Sequence, residues 1–293
     1  MQRRSFLGAM GGIPTLALVA PALAVPPTVA QKSATAKPAI LSRRVGIAFG
    51  GGSVHGVAHL GVLKAFAEKG LKFDFIAGTS VGAIIGVLTA AQLPVGEIEL
   101  ITRRIEWPSL MDISWSGRGL LQHNKLRSLI DTSLAGRRLE KLPIPFGAIA
   151  TDVTTGERIV IRKGPAGAAV SASSSIPVMF EPVKIDGRHL VDGGLTEPVP
   201  VIAVREMGAN VVIGVDVAFR PNEEPFQGLA GVAFQTMHIM ANALIKEQMP
   251  RADIVIRMNL HKLVDEDNTH DRLIAAGYAA AMGAWPGIAR ILS

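Results

Sequence analysis

The chain has 293 residues, 48% of them hydrophobic, which is enough to bury a sizeable core as one globular domain behind an N-terminal leader. Its formal charge is +6, and no lysine or arginine run exceeds pairs such as Arg43-Arg44 and Arg137-Arg138; this excludes the dense basic footprint of a nucleic-acid binder and allows weak peripheral contact with a membrane surface. The absence of cysteine excludes a disulfide framework, a thiolate metal site and a cysteine-linked lipid anchor.

The leader comes first. Gln2-Arg3-Arg4-Ser5-Phe6-Leu7 sets paired arginines before an apolar stretch from Ile13 through Val25, the pattern of a bacterial twin-arginine export signal over residues 1–24. Ala22-Leu23-Ala24 and Thr28-Val29-Ala30 both end in the small-x-small pattern, so cleavage as late as residue 30 also fits. Loss of Arg3 and Arg4 would leave +4 on the mature part. Residues 25–42, rich in Pro, Ala, Thr and Lys, read as a flexible linker, and residues 43–293 as the folded domain. The expected destination is the periplasm or the exterior, with an uncleaved membrane anchor or a chance basic start as the rivals.

Val45 to Phe49 is a short apolar run stopped by glycines, followed by an apolar helical stretch from Val57 to Lys69 that ends at Gly70. Phe73 to Ala77 is a second short run, and Gly78-Thr79-Ser80-Val81-Gly82 opens another helix reaching about Gln92-Leu93-Pro94. This β-α-β-α order predicts an α/β fold with a largely parallel sheet and helices on both faces. Phe75 through Gly96 carries no charge and has Gly78, Gly82 and Gly86 at four-residue spacing, so a glycine-dimerised membrane span is the alternative there. Further strands are expected at Pro145–Thr151, Arg158–Ile161, Val183–Ile185, Val211–Val217 and Ile254–Ile256, and amphipathic helices at Leu120–Leu134 and Val232–Met249.

Three motifs carry chemistry. Gly78-x-Ser80-x-Gly82 sits where strand turns into helix, a geometry that lifts a serine hydroxyl clear of the backbone at a helix N-terminus. Gly50-Gly51-Gly52-Ser53-Val54-His55-Gly56 is a glycine loop whose amides can converge on an oxyanion, but Gly50, Gly52 and Gly56, with Asp74 about twenty residues on, also fit a loose dinucleotide-binding pattern. The second glycine turn with its serine favours the first reading. Asp192-Gly193-Gly194 after Leu190-Val191 places a carboxylate at a strand end, where it can take a proton from a serine. His55 and His59 stand four apart, as zinc ligands do, but Gly56 lies where a metalloprotease has glutamate, and no metal is expected.

In this order the motifs resemble the patatin-like phospholipase family, including bacterial members related to the catalytic domain of neuropathy target esterase. Ala172-Ser173-Ser174-Ser175-Ile176-Pro177 looks like the family's block before the catalytic aspartate, and Ala150-Thr151-Asp152 with Thr155-Gly156-Glu157 is also similar. The resemblance implies a three-layer patatin-like fold and hydrolysis of phospholipid, lysophospholipid or related acyl esters without a cofactor. Ser80 would be the nucleophile, Asp192 the base of a two-residue dyad, and Gly50, Gly51, Gly52 and Ser53 the oxyanion loop, supported by His55, Gly56, Gly78, Gly82, Gly193 and Gly194. The family usually has Arg or Lys where this chain has His55. A positive charge there would be conditional on pH, with headgroup preference expected to follow it; the alternative is that His55 merely packs and hydrogen-bonds near the loop.

The rivals are a Ser-His-Asp esterase using His238, His261 or His270, a nucleotide-binding oxidoreductase, and a non-catalytic lipid-binding protein on the same scaffold. The triad order fits less well, because only one strand, one loop and one helix precede the Phe73 run.

Overall fold

The computed structural model describes residues 43–105, 112–113, 119–220, 228–264 and 269–293; the expected leader and linker lie outside the described residues. In chain order the strands are β1 (Val45–Phe49), β2 (Phe75–Thr79), β3 (Asp112–Ile113), β4 (Leu121–Gln122), β5 (Phe146–Asp152), β6 (Arg158–Ile161), β7 (Val183–Ile185), β8 (Arg188–Asp192), β9 (Val211–Asp216) and β10 (Ile254–Arg257). The helices are α1 (Ala58–Glu68), α2 (Val81–Ala90), α3 (Val95–Arg103), α4 (Asn124–Ser133), α5 (Ala166–Ser173), α6 (Val201–Met207), α7 (Gly228–Gln248) and α8 (Thr269–Leu292).

An eight-stranded sheet runs β10-β9-β1-β2-β5-β8-β7, with β6 paired to β5. The pairs from β10 to β5 are parallel, whereas β6, β7 and β8 add antiparallel pairing beyond β5. Both faces are covered, as a parallel sheet requires. Val45, Ile47 and Phe49 of β1 and Val211, Ile213 and Val215 of β9 point into the larger core with α1, α2 and α8, while the alternate residues Ala48 and Val212 join a second core with Val201 and Val204 of α6 and Met249. The period-2 alternation thus divides two helical layers about one sheet. Small residues on the α6 side let that helix come close: a methyl group on Gly46 would lie 2.2 Å from Val204.

The charge-free stretch from Phe75 to Gly96 resolves into β2, the turn at Ser80, α2 and the first residues of α3. Ten residues of α2 rise about 15 Å, half a bilayer core, and no described helix is long and apolar enough to cross a membrane. Its glycines serve close packing instead. A methyl on Gly78 would meet the Gly82 carbonyl at 2.2 Å, one on Gly82 the Phe49 carbonyl at 2.1 Å, and one on Gly86 the Phe146 ring at 2.8 Å.

The helix expected over Leu120–Leu134 begins only at Asn124. The Leu120 and Leu121 amides both donate to the Met179 carbonyl, so this stretch pairs sideways as β4 before the chain turns helical.

Candidate active site

Ser80 stands between β2 and α2 with φ 56° and ψ −125°, a conformation that costs a non-glycine residue on the order of 1–3 kcal/mol. The surroundings hold it there. Its amide donates to the Ser173 hydroxyl at 2.9 Å, and the preceding Thr79 hydroxyl donates to the Glu197 carbonyl at 2.7 Å. Glu197 is fully buried: its carboxylate accepts from the Ile202 and Ala203 amides at the start of α6 and from Arg158 at 2.7 Å. Burial raises its pKa, and these donors oppose that rise. The strained serine is thereby tied to α5, α6 and β6. Neither Ser173 nor Glu197 stood out in the sequence, although Ser173 lies inside the Ala172–Pro177 block and Glu197 follows Gly194 by three residues.

Asp192 ends β8 opposite Ala150 of β5. Its amide donates to the Ser175 carbonyl at 2.9 Å, its carbonyl accepts from the Thr151 hydroxyl at 3.0 Å, and its Oδ1 accepts from the Gly194 amide at 2.7 Å. A methyl on Gly193 would lie 2.4 Å from the Ile149 carbonyl, so glycine alone allows the turn to press against β5. Burial pushes the Asp192 carboxyl up to about 6, against the lowering pull of the Gly194 amide and of the Ser80 hydroxyl beside it. A carboxylate of that basicity at the serine hydroxyl is suited to accept its proton near neutral pH.

The glycine loop is divided in its use. Gly51 adjoins Ser80, since a methyl on it would lie 3.3 Å from the Ser80 Cβ. However, the Gly50 amide donates to the Val215 carbonyl at 3.0 Å and the Gly51 amide to the Pro198 carbonyl at 2.9 Å. These two amides, expected as oxyanion donors, are spent on anchoring the loop to β9 and to the turn before α6. Gly52 and Ser53 have no backbone acceptor for their amides among the described residues. Gly52 has to be glycine, as a methyl there would lie 2.3 Å from the Val217 carbonyl, and Ser53 takes a left-handed φ of 49°.

Of the two roles considered for His55, the structure places it packed beside the loop rather than facing the cleft. It is 2% exposed, its Nδ1 lies 3.2 Å from the Val217 carbonyl, and its ring stacks at 3.8 Å on Phe219, which itself lines the cleft. Phe219 lines the cleft and His55 does not, so the phenyl ring stands between the imidazole and the cleft. Gly56 passes under Val81, whose side chain a methyl would meet at 2.2 Å. His59 places Nε2 2.9 Å from the Gly50 carbonyl, and burial lowers its pKa to about 4, so it acts as a neutral buttress of the loop. Asp74 accepts from the Val45 amide at 2.7 Å, at the opposite end of β1 from the glycines, where it cannot reach a nucleotide held by them.

Ser80 and Asp192 open into a cleft of about 420 Å³. Ile176, Pro177, Met179 and Phe180 form one wall, and Phe219 with Phe234, Met237, His238 and Ala241 of α7 forms the other. This volume and apolar lining suit an acyl chain. Of the three histidines considered for a triad, His238 lines the cleft and stacks on Phe219 at 5.2 Å. His270 starts α8, under the influence of Arg103, Asp271 and Glu99, and His261 lies in the turn after β10. A larger groove of about 650 Å³, between β6 and the β7–β8 turn, contains neither Ser80 nor Asp192.

An uncharacterised NTE family protein of Mycobacterium tuberculosis is 36% identical over 180 residues, covering 60% of this chain and 49% of that protein. Lysophospholipase NTE1 of Candida glabrata is 30% identical over 189 residues, covering 62% of this chain and 11% of that protein. The chain thus spans about half the length of the first and a small part of the second. Among solved structures, VipD from Legionella pneumophila matches with a TM-score of 0.56 at 14% identity, over 84% of this chain and 67% of that one, a likeness of fold. The family model described as patatin-like phospholipase matches residues 47–205, more than half of the chain and a span containing the glycine loop, Ser80 and Asp192. On that match the chain belongs to the patatin-like phospholipase family.

Proposed function

We propose that this protein is a serine hydrolase of phospholipid, lysophospholipid or related acyl esters, working through a Ser80–Asp192 dyad. The observation that carries the reading is a strained serine beside a buried carboxylate with a pKa near 6, at the base of an apolar cleft. Asp192 takes the Ser80 hydroxyl proton as Oγ attacks the ester carbonyl carbon, and the Gly52 and Ser53 amides receive the oxyanion. Collapse breaks the ester bond, and the alcohol leaves with the proton from Asp192. A water then gives its proton to Asp192 and attacks the acyl-enzyme, releasing the fatty acid and restoring the Ser80 hydroxyl.

The test is labelling with a serine-directed phosphonate followed by peptide mapping, alongside turnover of an acyl-ester panel. The expected result is one adduct on Ser80 and loss of ester hydrolysis in proportion to labelling. A folded protein that takes up no phosphonate would return the choice to the non-catalytic lipid-binding reading.

We infer also, from the paired arginines, that the protein is exported. A reporter fused behind residues 1–42 should leave the cytoplasm, and Arg3→Lys with Arg4→Lys should retain it inside. Unimpaired delivery of the double-lysine fusion would exclude the twin-arginine route.

A further inference from the structure

The short link from Asp192 to Pro198 touches each part of the site. It begins at the proposed base, and the Thr196 and Glu197 amides both donate to the Gly193 carbonyl, at 3.0 and 2.8 Å, which closes it into a tight turn. Its last two carbonyls reach other segments. That of Glu197 accepts the hydroxyl of the fully buried Thr79 at 2.7 Å, next to the nucleophile, and that of Pro198 accepts the Gly51 amide at 2.9 Å, in the glycine loop. Two adjoining carbonyls thus set the spacing between the Ser80 turn and the loop that is to receive the oxyanion.

The Glu197 side chain fixes where those carbonyls lie. A carboxylate without exposure is costly unless its oxygens are filled. Here Oε1 accepts from the Ile202 and Ala203 amides at 2.7 and 3.0 Å, and Oε2 accepts from Arg158 of β6 at 2.7 Å. Arg158 is held in turn by Glu206 of α6 at 2.6 Å. The bland reading is a helix cap, whose loss would cost stability alone. It does not account for the main-chain carbonyls of the same residue and its neighbour, which bond away from α6, to Thr79 and Gly51.

We propose that Glu197 is a positioning residue of the hydrolase: its buried carboxylate, clamped between α6 and Arg158, holds the Glu197 and Pro198 carbonyls where they keep Ser80 and the glycine loop in register with Asp192. The inference rests on the hydrolase reading and adds to it a side chain that does not line the cleft. A displacement of about 1 Å among reacting groups costs on the order of 10²-fold in rate. The walls at Ile176–Phe180 and on α7 are built by other segments. Loosening the link should therefore lower kcat and leave KM nearly unchanged.

The experiment measures hydrolysis of a soluble short-chain ester by the full chain, with each rate divided by the number of serines that a phosphonate titrates, so that misfolded protein does not count. Thr79→Val, close to threonine in shape but without the hydroxyl, should lower kcat at least about tenfold with KM within about twofold, and Thr79→Ser should recover most of the loss. Glu197→Gln keeps an acceptor for the two α6 amides but sets an NH2 group against Arg158, and should lower kcat in the same way. Combined with Thr79→Val it should cost less than the product of the two separate losses, because both act through the one Glu197 carbonyl. Parental kcat per titrated serine in Thr79→Val and Glu197→Gln, with only Tm lowered, would overturn the proposal and leave Glu197 a helix cap. Equal losses in Thr79→Val and Thr79→Ser would overturn it as well, since the hydroxyl would then not be what holds the turn. Should Glu197→Gln not fold, the two Thr79 variants decide alone. A parent chain that takes up no phosphonate defeats the hydrolase reading itself, and the positioning role falls with it.

Discussion

Ser80→Ala and Asp192→Ala should each lower hydrolysis of an acyl ester by at least about 10³-fold, with the double variant little worse than either single one. The two side chains perform one step, transfer of the Ser80 proton as the nucleophile forms, so removing the second partner after the first has little left to remove. The pH profile gives an independent view of the same step. Burial holds Asp192 at about 6, and a base must be ionised to act, so kcat/KM should fall about tenfold per pH unit below 6 and level off above it. His238→Ala is the contrasting variant. Its ring lines the cleft and stacks on Phe219, so its loss should alter KM through the shape of the wall and leave the ionisation near 6 in place. If Asp192→Ala kept near-normal turnover while His238→Ala lost it, the base would be the imidazole and the two-residue mechanism would be wrong.

The parts of this site that were legible in sequence are those that one short segment builds by itself. The turn around Ser80 needs glycine at Gly78 because a methyl there would meet the Gly82 carbonyl of the same turn, and the strand-loop-helix around the Gly50 loop is likewise local. What the sequence concealed came from distant segments. Which carbonyl meets the Gly50 or Gly51 amide is decided by Val215 and Pro198, and no local pattern shows that those acceptors occupy two of the four expected donors. His55 reads as a charge at the loop, but Phe219 arrives from beyond β9 and covers its ring. Helix α8 was hidden for a related reason. Gly277 and Pro286 look like breakers, yet the glycine is a contact point: a methyl on Gly277 would lie 1.9 Å from the Ala58 carbonyl, and one on Gly61 1.9 Å from the Ile274 carbonyl. Glycines that permit a close crossing of α1 and α8 are indistinguishable, along the chain, from glycines that end a helix. The apolar cleft was equally out of reach, since its walls join residues near Ile176 to others on α7.

Asp192→Asn should make the folded protein more stable while removing its activity. Burial lifts the carboxyl from 3.8 to about 6, so the ionised form is disfavoured in the fold. The unfolded chain releases this proton near 3.8 and the folded chain only near 6; stability credited to the protonated group is complete below the lower value and is lost as pH rises through the upper one. Above about pH 6 the wild type therefore carries a penalty of about 3 kcal/mol from this one residue, at 1.36 kcal/mol per unit of pKa. Asparagine has nearly the same shape and keeps an acceptor for the Gly194 amide that Asp192 Oδ1 now receives. The substitution should thus raise Tm by about 6–12 °C at pH 8 for a domain of this size. The gain should shrink through pH 6 and be almost gone near pH 4, where the wild-type carboxyl is already neutral. Ser80→Ala, which leaves the carboxylate buried, should show no gain of this kind. Melting curves of the three proteins at pH 4, 6 and 8 decide the matter. Equal or lower stability of Asp192→Asn at pH 8 would mean that the folded protein holds this carboxylate ionised without cost, and the basicity assigned to it would have no source.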